Sequence, residues 1–515
     1  MSLNLASIVE YSVRYFRDEV ALIHDDRRLD YREFRRRVVA FAAHLRGLGI
    51  QRGDNVALLS TNRMSFTIAY FGILYAGAAV VPISFLSVGR EVAYSLRDSD
   101  AVALVAWSEL ADAAREGFGQ VDGCRHLFLF DESGGPLTPV DGPAIDPDGD
   151  CDIAPTRPDD TAVILYTSGT TGEPKGAELT HFNMYSNAQY SSERLLGAPG
   201  GFEPMGPGHV AVCALPLFHS FGQTCNQNAS LFGGGAVTYM ERFDARSALE
   251  VMERDRVTLF AGVPTMYFQL LEHEDASGFD LTALKHCCSG GAAMPVEVMR
   301  EFEQRYPVKI LEGYGLSETS PVATFNAIWK ERKLGSIGEP IYGCDVKIFD
   351  DQNRELGPEE VGEIVIRGYN VMKGYYQRPD ATAEAFRSGW FHSGDMGKKD
   401  ADGYIYIVDR KKDMIIRGGF NVYPREVEEI LYAHPSVLEA AVVGVPDEKY
   451  GEEIKAYVAL RKVEGEAAPT AEDIRDFCKS QLSATKYPRL VEILPELPKG
   501  PTGKILRKDL RSRNA

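Results

Sequence analysis

The sequence predicts an α/β protein of several folding units, and three observations carry the prediction. Helix-like and strand-like runs alternate through residues 31–107 and again through 160–300, the pattern of βα units around largely parallel sheets. From about residue 335 the texture turns to short strands between Gly-, Pro- and Asp-bearing turns, which reads as a small β-rich subdomain. After Arg410, helix-forming and strand-forming runs follow one another in a compact α+β unit. The length agrees: 515 residues exceed what one core organises, and domains of about 100–200 residues would make three or four units.

Asp30 is a candidate N-cap, and Glu33 three positions on would complete a capping box. Tyr31, Phe34, Val38, Phe41, Leu45 and Leu48 then recur at steps of three and four, one face of a helix that Gly47 and Gly49 end. A short apolar strand follows at 55–60. The most apolar stretch, 66–86, is long enough to cross a bilayer, but Gly72, Gly77 and Pro82 punctuate it. Its residues also change from helix-like to strand-like, so it reads as a buried helix running into a buried strand. Residues 130–160 are rich in Gly, Pro and Asp and read as a surface connection. Strands are expected at 346–349, 362–366 and 404–408 in the β-rich part. A helix at Pro424–Tyr432 and strands at 438–443 and 453–460 are expected in the last unit.

A 44% hydrophobic, 25% charged composition permits packed cores throughout. The net charge of −18 argues against a protein whose work is to neutralise nucleic-acid phosphates. The charge is unevenly spread. From Arg410 onward 19 basic residues meet 17 acidic ones, whereas the body before it is strongly acidic, and this composition shift hints at a boundary near 410. The eight cysteines form no CxxC pair, and the adjacent Cys287 and Cys288 lack zinc-knuckle spacing, so reduced, mostly buried thiols are expected. The N-terminal residues show no cationic start, apolar core and cleavage site in series. A cytoplasmic protein without membrane spans is the expectation.

Four strings carry chemistry. Residues 166–176 (YTSGTTGEPKG) follow the apolar run 162–165. Glycines and small hydroxyl residues after a strand form a loop whose backbone N–H groups can cradle phosphates, with Lys175 as a point charge. It is not a Walker loop, because Gly176 rather than Ser or Thr follows the lysine. Residues 312–319 (EGYGLSET), preceded by 289–294 (SGGAAM), combine glycines for close approach to a flat ligand, a stacking face on Tyr314, and Glu318 as a candidate Mg²⁺ ligand. Singly, Tyr314 would read as core and Glu318 as solvent-exposed. In 392–395 (HSGD), Asp395 is a carboxylate at a turn, suited to ribose hydroxyls; 409–413 (DRKKD) and 417–421 (RGGFN) follow. Last, 498–507 (PKGPTGKILR) presents Lys504 on a Gly/Pro-shaped loop, where a lone lysine would ordinarily be solvated.

In this order the strings resemble the superfamily of adenylate-forming enzymes: acyl-CoA synthetases, peptide-synthetase adenylation domains and firefly-type luciferases. The resemblance runs from the first helix to Lys504. It implies a large N-terminal domain, residues 1–409, of two doubly wound α/β subdomains plus a small β-rich one at about 335–409, and a small mobile α+β C-terminal domain, 410–515. It further implies ATP, Mg²⁺ and coenzyme A as ligands and a small-molecule carboxylic acid as substrate. Thr167, Ser168, Gly169, Thr170, Thr171, Gly172 and Lys175 should bind the ATP phosphates. Gly291, Ala292 and Tyr314, with the neighbouring Gly315 and Ser317, should meet the adenylate, Glu318 the metal, and Asp395 and Arg410 the ribose. Ser317 stands where many members have Thr, which keeps the hydroxyl. Lys504 should reach the carboxylate and α-phosphate during adenylation. Lys412 resembles the hinge about which Lys504 is exchanged for the loop of Arg417, Gly418 and Gly419. Homodimers are common in the resembled family, but no segment identifies an interface.

Residues 215–222 (LPLFHSFG) resemble the motif bordering the acyl site. Amino-acid-activating relatives commonly carry Asp just after the first Phe; here His219 stands there, which disfavours an amino acid. Phe218, Phe221, Gly222 and residues 263–266 suggest an apolar cavity, so a medium- or long-chain fatty acid is expected, with an aryl or arylpropenoic acid as the alternative. Ligases that load a carrier protein usually carry an insertion after the β-rich subdomain, for which 349–413 leaves no room. A luciferase-like oxygenase shares these motifs. A non-catalytic adenylate sensor would have lost a lysine, yet Lys175 and Lys504 are both present.

Overall fold

A computed structural model describes residues 2–140, 144–167, 173–195, 205–273, 275–461, 468–500 and 503–513. Among these, two large sheets, one β-rich sheet and one C-terminal sheet organise the chain. One large sheet runs, in spatial order, Gly374–Tyr375, Lys175–Thr180, Thr161–Thr167, Ala79–Ile83, Asn55–Leu59, Ala101–Trp107, His126–Asp131 and Thr138–Pro139. Its inner pairs are parallel and its edges antiparallel. The other runs Glu339–Pro340, Val322–Phe325, Ile310–Gly315, His286–Ser289, Leu259–Gly262, Val210–Cys213, Ala236–Tyr239, Val20–His24 and Arg27–Asp30, again with a parallel interior. Parallel interiors demand apolar strands covered on both faces, which matches the alternation expected for α/β units.

The helix Met64–Ala76 is buried along its whole length and ends at Gly77, φ 98°. It follows the strand Asn55–Leu59 of one sheet, while the Thr67 hydroxyl meets Gln227 and Tyr239 of the other layer at 2.6 Å. A helix apolar all round needs cover on every side, and here two layers supply it. Phe66 and Phe71 are fully buried, and each contributes roughly 1.5–3 kcal/mol by leaving water. No helix among the described residues is long and apolar enough to cross a membrane.

The helix Tyr31–Gly47 forms as its period predicts, with the Asp30 side chain accepting from the Glu33 N–H at 2.7 Å. The reciprocal half of the expected capping box is absent. The Glu33 carboxylate turns instead to Arg36 and Arg37, a charge-assisted pairing stronger than a bond to a backbone N–H. The β-rich sheet comprises Cys344–Phe349, Gly362–Gly368, Trp390–Lys399, Phe386–Arg387 and Ile405–Arg410. Two short strands within the same stretch, Glu339–Pro340 and Gly374–Tyr375, are lent to the large sheets. In the C-terminal sheet Gly451–Leu460 pairs with Val437–Asp447 along one edge and with the parallel strand Leu490–Ile493 and the end of Ile415–Arg417 along the other, with Phe420–Val422 beyond Ile415–Arg417. Pro424–Tyr432 and Ala471–Gln481 pack on it through Val427, Leu431, Ile474 and Cys478.

Candidate active site

The strand Ile310–Gly315 brings Glu312 and Tyr314 to the end of its sheet, and the 3₁₀ turn Ser317–Thr319 follows at once. A Cβ on Gly315 would run into the Pro321 carbonyl, so only glycine lets the chain turn there. The turn presents Glu318 inward. Its Oε1 accepts from the Tyr375 hydroxyl at 3.0 Å, and its own carbonyl accepts from Met372 N–H. Burial pushes the Glu318 carboxyl above the usual range, opposed by hydrogen bonds from its own backbone N–H and the Tyr375 and Thr167 hydroxyls. The expectation of a solvent-exposed Glu318 is therefore corrected: the turn and Tyr375 bury it at 9% exposure.

Across the cleft, Thr167 and Lys175 end paired strands in register. The Lys175 ammonium lies 5.4 Å from the Tyr375 ring centroid, so Tyr375 stands between Lys175 and Glu318. Ser168, Gly169, Thr170, Thr171 and Gly172 lie outside the described residues.

Asp395 is corrected in one respect. It sits within the long strand Trp390–Lys399 rather than at a turn, opposite Arg410 in the neighbouring strand. The turn-like signal came from Gly394, whose φ of 74° is accommodated inside the strand. Asp395 Oδ2 accepts from the Tyr314 hydroxyl at 2.6 Å, and Oδ1 is 3.5 Å from Arg410 Nε. Burial pushes this carboxyl up; Arg410, Tyr314 and Lys504 pull against it.

Lys504 enters from the C-terminal unit. An ideal Cβ on Gly291 would stand 3.1 Å from Lys504 Cε and 3.6 Å from Val263 Cγ1, and Gly291 has φ +79°. The neighbouring Gly503 carbonyl accepts from Thr265 Oγ1 at 3.1 Å, anchoring the loop. Burial and the nearby Arg410 lower the Lys504 ammonium to about 8, with Asp395 opposing. Beside it His219, its ring 4.5 Å from that of Phe218, is held neutral: burial, then Lys504, bring it down to about 4. Phe221 closes on Gly290, where a Cβ would be 3.2 Å from its ring.

Ala292 is exposed and Ser317 half-buried beside this cleft. Lys412, its ammonium lowered by burial, lies in the segment 409–413, which the last helix clasps. Arg507 reaches Asp409 at 3.4 Å and Asp413 at 3.5 Å, and Arg511 reaches Asp413 at 2.8 Å. Gly418 and Gly419 form an exposed hairpin turn with φ of 56° and 84°, and Tyr450 of the same unit packs on Gly418. The structure thus gathers Thr167, Lys175, Glu318, Tyr314, Asp395, Arg410, Lys504, Gly291 and His219, and sets Gly418 and Gly419 on another part of the C-terminal sheet. Sequence reasoning passed over Tyr375 and placed Thr265 only within the 263–266 cavity wall. Tyr375 belongs to a two-residue strand too short for any period to register, and Thr265 opens a helix in which nothing marks it as a loop anchor.

Three cations (Lys175, Arg410 and Lys504), the buried acid Glu318, the tyrosine-tethered acid Asp395 and a neutral histidine beside Phe218 suit a nucleotide polyanion meeting a carboxylate. That is the site of a nucleotide-dependent, carboxylate-activating ligase. Comparisons with known proteins agree. The AMP-binding enzyme model matches residues 9–376, and the AMP-binding enzyme C-terminal domain matches 426–504. The chain belongs to the AMP-binding enzyme family, and it is an ATP-dependent acid–CoA ligase. It is 38% identical to a long-chain-fatty-acid–CoA ligase of Bacillus subtilis (strain 168), over 98% of this chain and 94% of that one. It is 37% identical to a feruloyl-CoA synthase of Amycolatopsis sp, over 96% and 95%. The anthranilate CoA ligase AuaEII in complex with anthranoyl-AMP superposes with a TM-score of 0.90 at 28% identity, covering 100% of this chain and 98% of that one.

Proposed function

We propose that the chain converts a medium- or long-chain fatty acid into its coenzyme A thioester through an acyl-adenylate. The observation that carries the reading is Lys504, brought from the C-terminal unit to lie with Asp395 and Arg410 on one side and Gly291, Val263 and His219 on the other. There it can meet a carboxylate and an α-phosphate at once.

A carboxylate is a poor acyl donor because its leaving group would be oxide. One carboxylate oxygen attacks the α-phosphorus of ATP, and the bond to the β-phosphate oxygen breaks, releasing pyrophosphate. Both reactants are anionic, so Lys504 and Lys175 offset their repulsion and the charge that develops. Residues 167–175 hold the phosphates, Asp395 and Arg410 the ribose, and Gly291, Ala292 and Tyr314 the adenine. Glu318 fits Mg²⁺: its buried carboxyl gains from a cation, and a carboxylate plus phosphate oxygens is a ligand set that ion prefers. Bound there, Mg²⁺ would supply positive charge to the phosphate oxygens. The thiol sulfur of coenzyme A then attacks the acyl carbon, loses its proton and expels AMP.

Residues 410–515 act as the mobile unit, turning about Lys412 between the two steps and exchanging Lys504 for the loop of Arg417, Gly418 and Gly419. Support for the fatty acid comes from the Phe218–Phe221 wall, and each methylene buried against it contributes about 0.8 kcal/mol. The feruloyl-CoA and anthranilate relatives favour an aryl acid as the second reading.

The test is carboxylate-dependent pyrophosphate release across fatty, aryl and amino acids, with and without coenzyme A, beside Lys504→Ala. Fatty acids should drive sustained turnover to a thioester, and the variant should lose roughly 10²–10³ in adenylation rate. Release stopping near one equivalent with coenzyme A present would point to a carrier protein as acceptor. Release only with aryl acids would overturn the fatty-acid reading.

A further inference from the structure

We propose that Arg461 is a positioning residue that docks the C-terminal unit in the arrangement where Lys504 occupies the site. The inference rests on the ligase reading above and deepens it. Arg461 follows the strand Gly451–Leu460, and its backbone N–H donates to the Ser436 carbonyl at 2.9 Å, so the root of the side chain is fixed on its own unit. The guanidinium crosses to the large unit. Nη1 lies 3.4 Å from Glu272 Oε1, Nη2 lies 3.3 Å from Glu301 Oε2, and the Phe268 ring lies 6.0 Å beneath. Phe268 in turn meets the Tyr432 ring of the C-terminal unit at 5.8 Å.

The helix Pro264–Glu272 carries the contacts that matter. Near its start Thr265 holds the Gly503 carbonyl, one residue from Lys504; at its end Glu272 holds Arg461. One rigid element about 13 Å long therefore touches the C-terminal unit at Thr265, Phe268 and Glu272. A rotation that withdraws Lys504 must break all three contacts. Half-exposed ion pairs are weak singly, which suits a contact made and broken in every turnover. Two acids converging on one guanidinium over an aromatic face make it specific to this arrangement.

The test uses the full chain with Arg461→Ala, Arg461→Glu, and Arg461→Glu combined with Glu272→Arg and Glu301→Arg. Two half-reactions are followed: single-turnover pyrophosphate release from ATP and a fatty acid, and thioester formation from preformed acyl-adenylate and coenzyme A. The single variants should slow the first by about three- to tenfold and leave the second unchanged or faster, and the charge-swapped triple variant should recover most of the loss. Hydrogen exchange over Pro264–Glu272 and Val296–Arg305, read with a non-hydrolysable alkyl ester of AMP, should rise in Arg461→Glu and fall back in the triple variant. Equal slowing of both half-reactions, or unchanged exchange in Arg461→Glu, would overturn the proposal. Failure of the ligase reading looks different: the unmodified chain then releases no pyrophosphate with any acid, while the exchange measurement still decides the docking role.

Discussion

The Tyr314 hydroxyl donates to Asp395 Oδ2 at 2.6 Å, joining the end of a large-sheet strand to the β-rich sheet 81 residues further along the chain. The bond leaves Asp395 Oδ1 toward Arg410 and fixes the tyrosine ring as one wall of the cleft. Hydrogen bonds to charged groups contribute about 1.5–3 kcal/mol. Tyr314→Phe should therefore raise KM for ATP by roughly tenfold or more while leaving KM for the acid within about twofold. Steady-state kinetics with each substrate varied in turn is the check; an equal rise in both constants would mean the tyrosine only supports the fold.

The half-buried Lys504 ammonium, lowered to about 8 by desolvation, makes adenylation sensitive to alkali. A base with a depressed pKa is charged below that value and neutral above it, so the stabilising cation is lost as pH rises through about 8. kcat/KM for pyrophosphate release, which reports the free enzyme, should fall roughly tenfold per pH unit above about 8. Lys504→Arg, always charged, should abolish this limb even if it is slower throughout. A profile flat to pH 9.5 in the unmodified chain would contradict the assignment.

Glu318→Gln should raise the Mg²⁺ concentration for half-maximal adenylation by at least about tenfold, a loss typical even of outer-shell partners. Tyr375→Phe, which removes only the hydrogen bond to Oε1, should shift it less. Titration of activity against Mg²⁺ at fixed ATP measures both, and an unchanged requirement in Glu318→Gln would remove it as a metal ligand.

Gly291→Ala introduces a side chain at φ +79°, costing roughly 1–2 kcal/mol of strain, and brings its Cβ to 3.1 Å from Lys504 Cε. Displacing Lys504 by even a fraction of an ångström should slow adenylation on the order of ten- to a hundredfold. Thioester formation at saturating preformed acyl-adenylate should slow less than adenylation, with a raised KM for the adenylate because Gly291 also meets the adenine in the proposed reading. Rapid-quench measurement of the two half-reactions separates these outcomes.

Much of the architecture was legible because its cause is local. The stripe from Tyr31 to Leu45 dictates a helix wherever it packs, and Pro424–Tyr432 appears with the bounds its pattern implies. The glycines of 289–294 and 312–319 read as room for a flat ligand; the structure shows Gly315 close on the Pro321 carbonyl and Gly291 beside the Lys504 side chain. The hairpin of Val20–His24 and Arg27–Asp30 was not legible. It joins the sheet holding Ala236–Tyr239, while the strand Asn55–Leu59 shortly after it joins the other. No local pattern distinguishes two apolar sheets with the same kind of parallel interior.

By itself the sequence determined the element types, the strings that carry chemistry and the class of enzyme, because residue period, turn chemistry and motif order are properties of short segments. Only the tertiary structure decided that Glu318 is buried beneath Tyr375, that Asp395 stands within a strand under Tyr314, and that Lys504 leaves solvent to lie beside Gly291. Each of these depends on desolvation and on partners tens to hundreds of residues away. Burial, which moves these groups from their ordinary protonation and gives the cleft its charge, exists only once distant segments have packed together.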